Sequence, residues 1–460
     1  MLLKSKLNDL KKTLNNSNVL ANLEERYCYS TDASNLKRDT KTPDLVVFVE
    51  TIEDVQNVVK YANIHHIPII PRGAGTNMVG ACVCNNGGIV LNFSKMNKIL
   101  EINQMNLTVR VQPGVVLETL KNEVEKFNLY YPPDPSNYKV STIGGSIAQS
   151  SGGAKAFKYG TTKDYIISLK VVTANGEIIE LGSQTSKNSV GYHLEQIFVG
   201  SEGTLGIVVE ATLKLIPKPQ VQSLLAVYFN ETNSMMNFVN SVLHSGIYPS
   251  AIDFMDKNSI KTVEEYANLG LNLTAKYLLL MEIEGESSSL NEQGKILDEL
   301  LKKYNLLYEF TSDKQRIDDL WHIRKVSYSA TTRLAPDVIS DDLIVPRDKV
   351  SELIDICNSV TNKYNLKMCL VGHLGDGNIH PQIALDLNND IEFRNYTKAK
   401  SEIYDAVLKL GGSLSGEHGI GLDKREYFAK NVEEEKLNYM RQIKKIFDPN
   451  NILNPGKIFE

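Results

Sequence analysis

Apolar positions along this chain alternate between two periods, and the alternation outlines a mixed α+β protein. Asp44-Leu-Val-Val-Phe-Val-Glu50 is a β-branched run that reads as a buried strand. Thr51 before Ile52-Glu53-Asp54 is an N-cap signal for a helix to about Ile64. Ile67–Ile70, Gly88–Phe93 and Leu107–Gln112 read as further strands, and 117–127 as a helix. Leu169–Leu181 reads as a hairpin turning at Asn175-Gly176. An apolar strand runs through Leu215, and Pro217-Lys218-Pro219 marks a boundary. Beyond it, 224–229, 276–284 and 343–346 are strand-like, while 287–303, 313–333, 347–364, 390–410 and 422–447 are helix-like. Residues 1–40 read as a short helical lead-in.

The 460 residues, 42% hydrophobic, suffice for two or three domains with proper cores. A formal net charge of -5, from 50 basic and 55 acidic residues, gives no nucleic-acid footprint. The first residues lack the apolar core of a signal peptide, and no apolar run approaches bilayer length. The expectation is a soluble, cytoplasmic protein, with peripheral membrane association left open. Five cysteines in a chain of this size argue against a disulfide framework. No Cys-x-x-Cys-x-x-Cys run is present for an iron–sulfur cluster of that kind. Cys82-Val83-Cys84 reads as two small residues in a tight loop rather than a soft metal pair.

Four glycine-rich loops lie between Pro71 and Ile207: Pro71-Arg72-Gly73-Ala74-Gly75-Thr76-Asn77, Thr142–Ser146, Ser151-Gly152-Gly153 and Glu202–Ile207. Glycine permits the backbone angles and close approach that let N–H groups line a phosphate site. One such loop is usually an ordinary turn; four in succession point to a dinucleotide-sized ligand. The pattern is not the Rossmann fingerprint, because no Gly-x-Gly-x-x-Gly opens a helix in a βαβ unit, so NAD(P) is a poor fit as resident cofactor.

Pro71–Asn77, Pro133-Asp134-Pro135-Ser136, Thr142-Ile-Gly144-Gly145, Lys158-Tyr-Gly160 and Gly200-Ser-Glu202-Gly-Thr-Leu-Gly206 together resemble the FAD-binding domain of vanillyl-alcohol-oxidase-type flavoproteins. Gly372–Pro381, Ser415–Gly421 and Leu453-Asn454-Pro-Gly-Lys457 resemble the FAD-dependent D-lactate, glycolate and D-2-hydroxyglutarate dehydrogenase branch. The resemblance implies a two-subdomain FAD-binding domain over 41–219, a substrate or cap domain over 220–420, and a C-terminal helix and tail over 421–460 returning to the flavin pocket. It places Pro71–Asn77, Pro133, Asp134, Thr142, Gly144, Gly145, Ser151, Gly152, Glu202, Gly206, Ile207 and Asn454 at the cofactor. Pro71–Asn77 contains no histidine, so non-covalent FAD is expected.

His373 and His380 flank Asp376-Gly377, a favoured two-residue hairpin turn. With that turn the two histidines would lie directly opposite on one face, Cβ atoms roughly 4.5–5.5 Å apart. Such a pair suits either one cation or a mutual hydrogen bond in a turn. The resemblance implies the first: His373, His380 and Glu417 as ligands of a divalent metal, with zinc, manganese and iron all compatible. It implies His418 as general base, a role suited to an imidazole near neutral pH. It implies Arg324 as the bidentate grip on a substrate carboxylate.

The reaction so implied is oxidation of a small D-2-hydroxy acid to the 2-oxo acid by hydride transfer to flavin. In the 2-hydroxyglutarate branch a lysine that helps hold the distal carboxylate stands about where Ser340 stands here. That departure favours D-lactate, then glycolate. With no cluster motif in the chain, an electron-transferring flavoprotein, an iron–sulfur subunit or quinone is the expected acceptor; a homodimer is compatible. The alternatives are a D-2-hydroxyglutarate dehydrogenase, a redox-neutral transferase of the ether-lipid type, a relay subunit without catalysis, and an NADPH-dependent UDP-sugar reductase. The histidine motifs argue against the last three.

Overall fold

The Thr51 hydroxyl accepts from the Asp54 N–H while the Asp54 carboxylate accepts from the Thr51 N–H, a capping box that starts the helix Ile52–His65. Val55, Val58, Val59 and Ala62 of that helix recur at helical spacing and pack with Leu45, Val47, Ile69, Ile89 and Leu91. These last belong to the parallel strands Leu45–Phe48, Ile69–Arg72 and Ile89–Asn92. The alternate residues Val46, Ile70 and Val90 form a second cluster with Cys84. Both faces are covered, which is why the strands read as unbroken apolar runs. The computed structural model describes residues 10, 14, 18–36, 40–185 and 187–459. Much of the N-terminal lead-in expectation lies outside them; its described part holds the two-residue strand Val19–Leu20 and the helix Leu23–Tyr27.

A five-stranded antiparallel sheet follows, in the order Ile99–Asn103, Thr108–Val111, Ile207–Lys214, Ile166–Val172, Ile178–Gly182. Its hairpin turns at Thr173–Gly176, with Gly176 at φ +76. The C-terminal tail joins the parallel sheet: Leu453 bridges Ile69, and the Asn454 N–H donates to the Ile69 carbonyl. These parts form one unit, residues 1–151, 161–218 and 417–460.

The second unit comprises residues 152–160 and 219–416. Its antiparallel sheet runs Leu307–Thr311, Val221–Phe229, Tyr277–Gly285, Ala251–Asp256, Lys367–His373, Asn378–Leu385, Asp337–Ser340, with Leu343–Ile344 also paired to Asn378–Leu385. Three expected helices are interrupted. Residues 313–333 form Lys314–Lys325 and Ser327–Thr331, broken at Val326. The stretch 347–364 opens with a 3-10 turn before Val350–Lys363. Residues 422–447 divide into Arg425–Asn431 and Glu434–Phe447. Among the described residues no helix is long and apolar enough to cross a membrane.

Candidate active site

In the first unit the glycine loops converge. A cavity of about 140 Å³ is lined by Pro71, Gly73–Met78, Pro135–Asn137, Ser141, Thr142, Gly145, Ser146, Gln149, Ser151, Glu202, Gly203, Glu417 and His418, among others. A narrower one adjoins it through Pro71, Gly73, Thr142, Gly145 and Gly203, and is lined also by Arg72, Gly144, Gly206 and Ile207. Chain segments far apart in sequence are therefore brought to one place. Pro133 and Asp134 are not in the lining, which begins two residues on at Pro135; Asp134 pairs instead with Lys121 at 2.5 Å. Gly152 falls in the second unit.

The local geometry explains the glycines. The strand Ile69–Arg72 delivers the loop, and Thr142 caps the helix Ile143–Gln149 by accepting from the Gly145 N–H. A Cβ on Gly73 would collide with the Thr142 hydroxyl. Gly75, at φ +76, would drive a side chain into the Arg72 guanidinium. That guanidinium is turned to the Cys82 carbonyl and over the Tyr29 ring. Side-chain oxygens of Ser141, Ser146 and Gln149, all in the lining, are buried with no hydrogen-bond partner in the protein. Buried polar atoms are ordinarily satisfied, so these fit a polar ligand that completes them. The Asn454 amide donates to the carbonyls of Ala81 and Glu202, both at 2.7 Å, and its own buried oxygen is likewise unmatched.

Glu202 does something its loop did not reveal. Its carboxylate accepts from the Ile420 N–H at 2.7 Å and the Gly421 N–H at 2.9 Å, holding the segment that begins at Glu417-His418. The Asn77 amide donates to the His418 carbonyl. Burial pushes the Glu202 carboxyl up to about 7 against the opposing pull of those two N–H groups.

In the second unit, His373 and His380 share one face of the sheet, ring centroids 5.2 Å apart and planes at 80°. The expected register is not the one observed. His373 pairs with Asn378, and His380 with Val371, so the histidines are diagonal rather than opposite. The cause lies next door: the Ile252 carbonyl accepts from Leu374 and Gly375, pulling both out of the ladder and leaving the four-residue turn Leu374–Gly377. Gly377, at φ +78, passes its carbonyl to the Val345 N–H.

Each imidazole is oriented through Nδ1. His373 Nδ1 lies 2.8 Å from Asp253 Oδ1, and His380 Nδ1 lies 3.2 Å from the Asp341 carbonyl. Arg324 Nε forms an ion pair with the other Asp253 oxygen at 3.0 Å. Burial alone would raise the Asp253 carboxyl; His373 and Arg324 beside it hold it below the usual range. Fully buried Asp342 accepts from Asn378 Nδ2 at 2.7 Å, Ser415 Oγ at 2.7 Å and the Gly416 N–H at 2.9 Å. His380 Nδ1 is 3.8 Å from its Oδ1. Gly416 is thus anchored beside His380, and Glu417 is the next residue along the chain. Sequence reasoning missed Asp253, a single acid inside a strand, and Asp341-Asp342, in the short link between the strands Asp337–Ser340 and Leu343–Ile344, since neither carries a spacing signal.

Comparison with known proteins matches the chain to two families. Residues 43–182 match the FAD binding domain family, and residues 218–458 match the FAD linked oxidases, C-terminal domain. The chain is 39% identical over 435 residues to the glycolate oxidase subunit GlcD of Bacillus subtilis (strain 168), covering 94% of this chain and 92% of that one. It is 36% identical to the D-lactate dehydrogenase of Anaerostipes hadrus, covering 90% and 89%. It is 31% identical to the D-2-hydroxyglutarate dehydrogenase of Stutzerimonas stutzeri (strain A1501), covering 98% of each. The fold is shared with p-cresol methylhydroxylase, at a TM-score of 0.84 and 18% identity over 100% of this chain and 97% of that one. This chain is a member of the FAD linked oxidases, a FAD-dependent oxidoreductase with an N-terminal FAD binding domain and the C-terminal domain of that family.

Proposed function

We propose that the chain oxidises a small D-2-hydroxy acid, D-lactate first and glycolate next, to its 2-oxo acid, and passes the electrons to a separate acceptor. The observation that carries this reading is the histidine face. Two imidazoles on one sheet face, each committed through Nδ1 to an oxygen of the same unit, present Nε2 as the nitrogen a shared cation would meet. Glu417, one residue beyond anchored Gly416, supplies the carboxylate. Two imidazoles and one carboxylate suit zinc, manganese or ferrous iron and leave positions for substrate oxygens.

Bound FAD supplies the hydride acceptor, and the divalent cation supplies Lewis acidity toward the substrate's oxygens. The chain's own residues do the rest. Arg324, its Nε already paired with Asp253, grips the substrate carboxylate through its outer guanidinium nitrogens. His418, in the lining of the FAD-side cavity and held by Asn77 and the Glu202 clamp, removes the hydroxyl proton. Pro71–Asn77, Thr142–Gly145, Ser151 and Asn454 hold FAD non-covalently. Ser340 offers a hydroxyl and no cation for a distal carboxylate, which favours the shorter acids.

The chain's relatives carry names of acids of different length, so the test compares them directly. Purified holoprotein is mixed anaerobically with D-lactate, L-lactate, glycolate and D-2-hydroxyglutarate, and the flavin's visible absorbance is followed. Bleaching by D-lactate ahead of the others is the expected result. Bleaching by D-2-hydroxyglutarate alone would move the chain to that activity, and bleaching by none would sink the proposal.

A further inference from the structure

We infer that Asp253 is a positioning residue that selects the metal-binding tautomer of His373, with Arg324 as the charge that keeps it in register. The inference rests on the metal reading above and deepens it.

Asp253 sits in the strand Ala251–Asp256, every residue of which is buried. Its own exposure is 1%. A carboxylate with no neutral alternative there would be costly unless both oxygens were engaged. Oδ1 faces His373 Nδ1 at 2.8 Å, and Oδ2 is ion-paired with Arg324 Nε at 3.0 Å, a charge contact whose alignment falls short of a hydrogen bond. The strand register makes this contact obligatory, because Asp253 is paired with His373 across the ladder. An ionised carboxylate only accepts hydrogen bonds, so the proton must sit on His373 Nδ1. The imidazole then presents its Nε2 lone pair, the atom that can ligate a cation.

Arg324 adds a second constraint. A guanidinium only donates and is always charged, so it favours an oxygen over an NH2 group at the Oδ2 position. An asparagine at 253 has one oxygen, and Arg324 would draw it. Its NH2 group would then face His373 Nδ1, forcing that nitrogen to accept and moving the ring proton to Nε2. The same side-chain volume would hold the imidazole in the tautomer that cannot bind metal at that nitrogen.

The test reads Mn²⁺ affinity of FAD-loaded protein by electron paramagnetic resonance of free Mn²⁺, together with the flavin spectrum and melting temperature as controls for folding. Wild type should bind one Mn²⁺. D253N should bind it roughly 10–100-fold more weakly. The double variant D253N/R324M, lacking the cation that draws the amide oxygen, should regain part of that loss; a purely structural role for Asp253 would make the double variant worse. Equal affinity of D253N and wild type would overturn the inference, as would a double variant no better than D253N. Failure of wild type itself to bind Mn²⁺ would overturn the metal reading instead, and the two failures are distinguishable. Should D253N not fold, the nitrogen-15 spectrum of metal-free wild type decides: a protonated Nδ1 on His373 is expected, and a protonated Nε2 would overturn the assignment.

Discussion

The cavity around Pro71–Asn77 and the histidine face at His373 and His380 are built from opposite materials. The cavity is shaped by missing side chains: Gly73 and Gly75 admit no Cβ, and the groups in its wall include buried oxygens of Ser141, Ser146 and Gln149 with no protein partner. The histidine face is held by buried acceptors: the carboxylates of Asp253 and Asp342 and the backbone carbonyl of Asp341 fix imidazoles and backbone. Backbone cradles recognise a large ligand by shape and many weak bonds, so single polar changes should be tolerated there. Side-chain lattices recognise a small cation by a few strong bonds, so single changes should be severe.

The comparison breaks most sharply at His380. His380→Ala should abolish substrate reduction of the flavin and Mn²⁺ binding while leaving the visible FAD spectrum in place; loss of FAD in the same variant would show that the two regions are not separable. His418→Ala comes next, with flavin reduction by D-lactate slowed roughly 10²–10⁴-fold and FAD retained, as expected for loss of a general base. On the other side, Gly75→Val should yield largely flavin-free protein that still binds Mn²⁺, since φ +76 strains a β-branched residue and its side chain would have to displace the Arg72 guanidinium. A normal flavin content in that variant would remove the steric argument.

Smaller effects test the clamp and the core. The Glu202 carboxyl lies at about 7 in the folded protein against 4.5 ordinarily, so the folded state binds the extra proton. Its contribution to stability is present below about pH 4.5 and lost as pH rises through about 7. Glu202→Gln should therefore flatten the melting temperature against pH across that window; an unchanged profile would contradict the burial argument. Cysteine reactivity gives the smallest signal. Burial pushes the Cys82 and Cys84 thiols up to about 12, and Cys357 and Cys369 are also buried and raised. A thiol reagent at pH 8 should titrate Cys28 alone in native protein and all five after denaturation.

Much of the architecture was legible where one residue type has one physical reason. Thr51 before an acidic turn could hardly be anything but a cap, and the β-branched runs at 45–48 and 89–92 had to be buried on both sides. The loop Pro71–Asn77 and the motif Glu417-His418 could be found because glycine and histidine are chemically distinctive. Other features depend on partners distant in sequence. Asp253 is one acid in the apolar stretch 251–255, and its histidine lies 120 residues on. The Asp376-Gly377 turn favoured a two-residue hairpin, yet the Ile252 carbonyl of a neighbouring strand outcompeted the ladder for Leu374 and Gly375. Ser141, Ser146 and Gln149 carry no signal at all until burial is known, because a serine in a loop has many uses.

The proposed function turns on one requirement, that flavin reduction by a hydroxy acid needs the divalent cation. Anaerobic stopped-flow mixing of D-lactate with chelator-treated, FAD-loaded protein, before and after Mn²⁺ or Zn²⁺ is restored, tests it most directly. The flavin absorbance should persist in the metal-free protein and bleach once the cation is returned. Bleaching at the same rate in both would contradict the account.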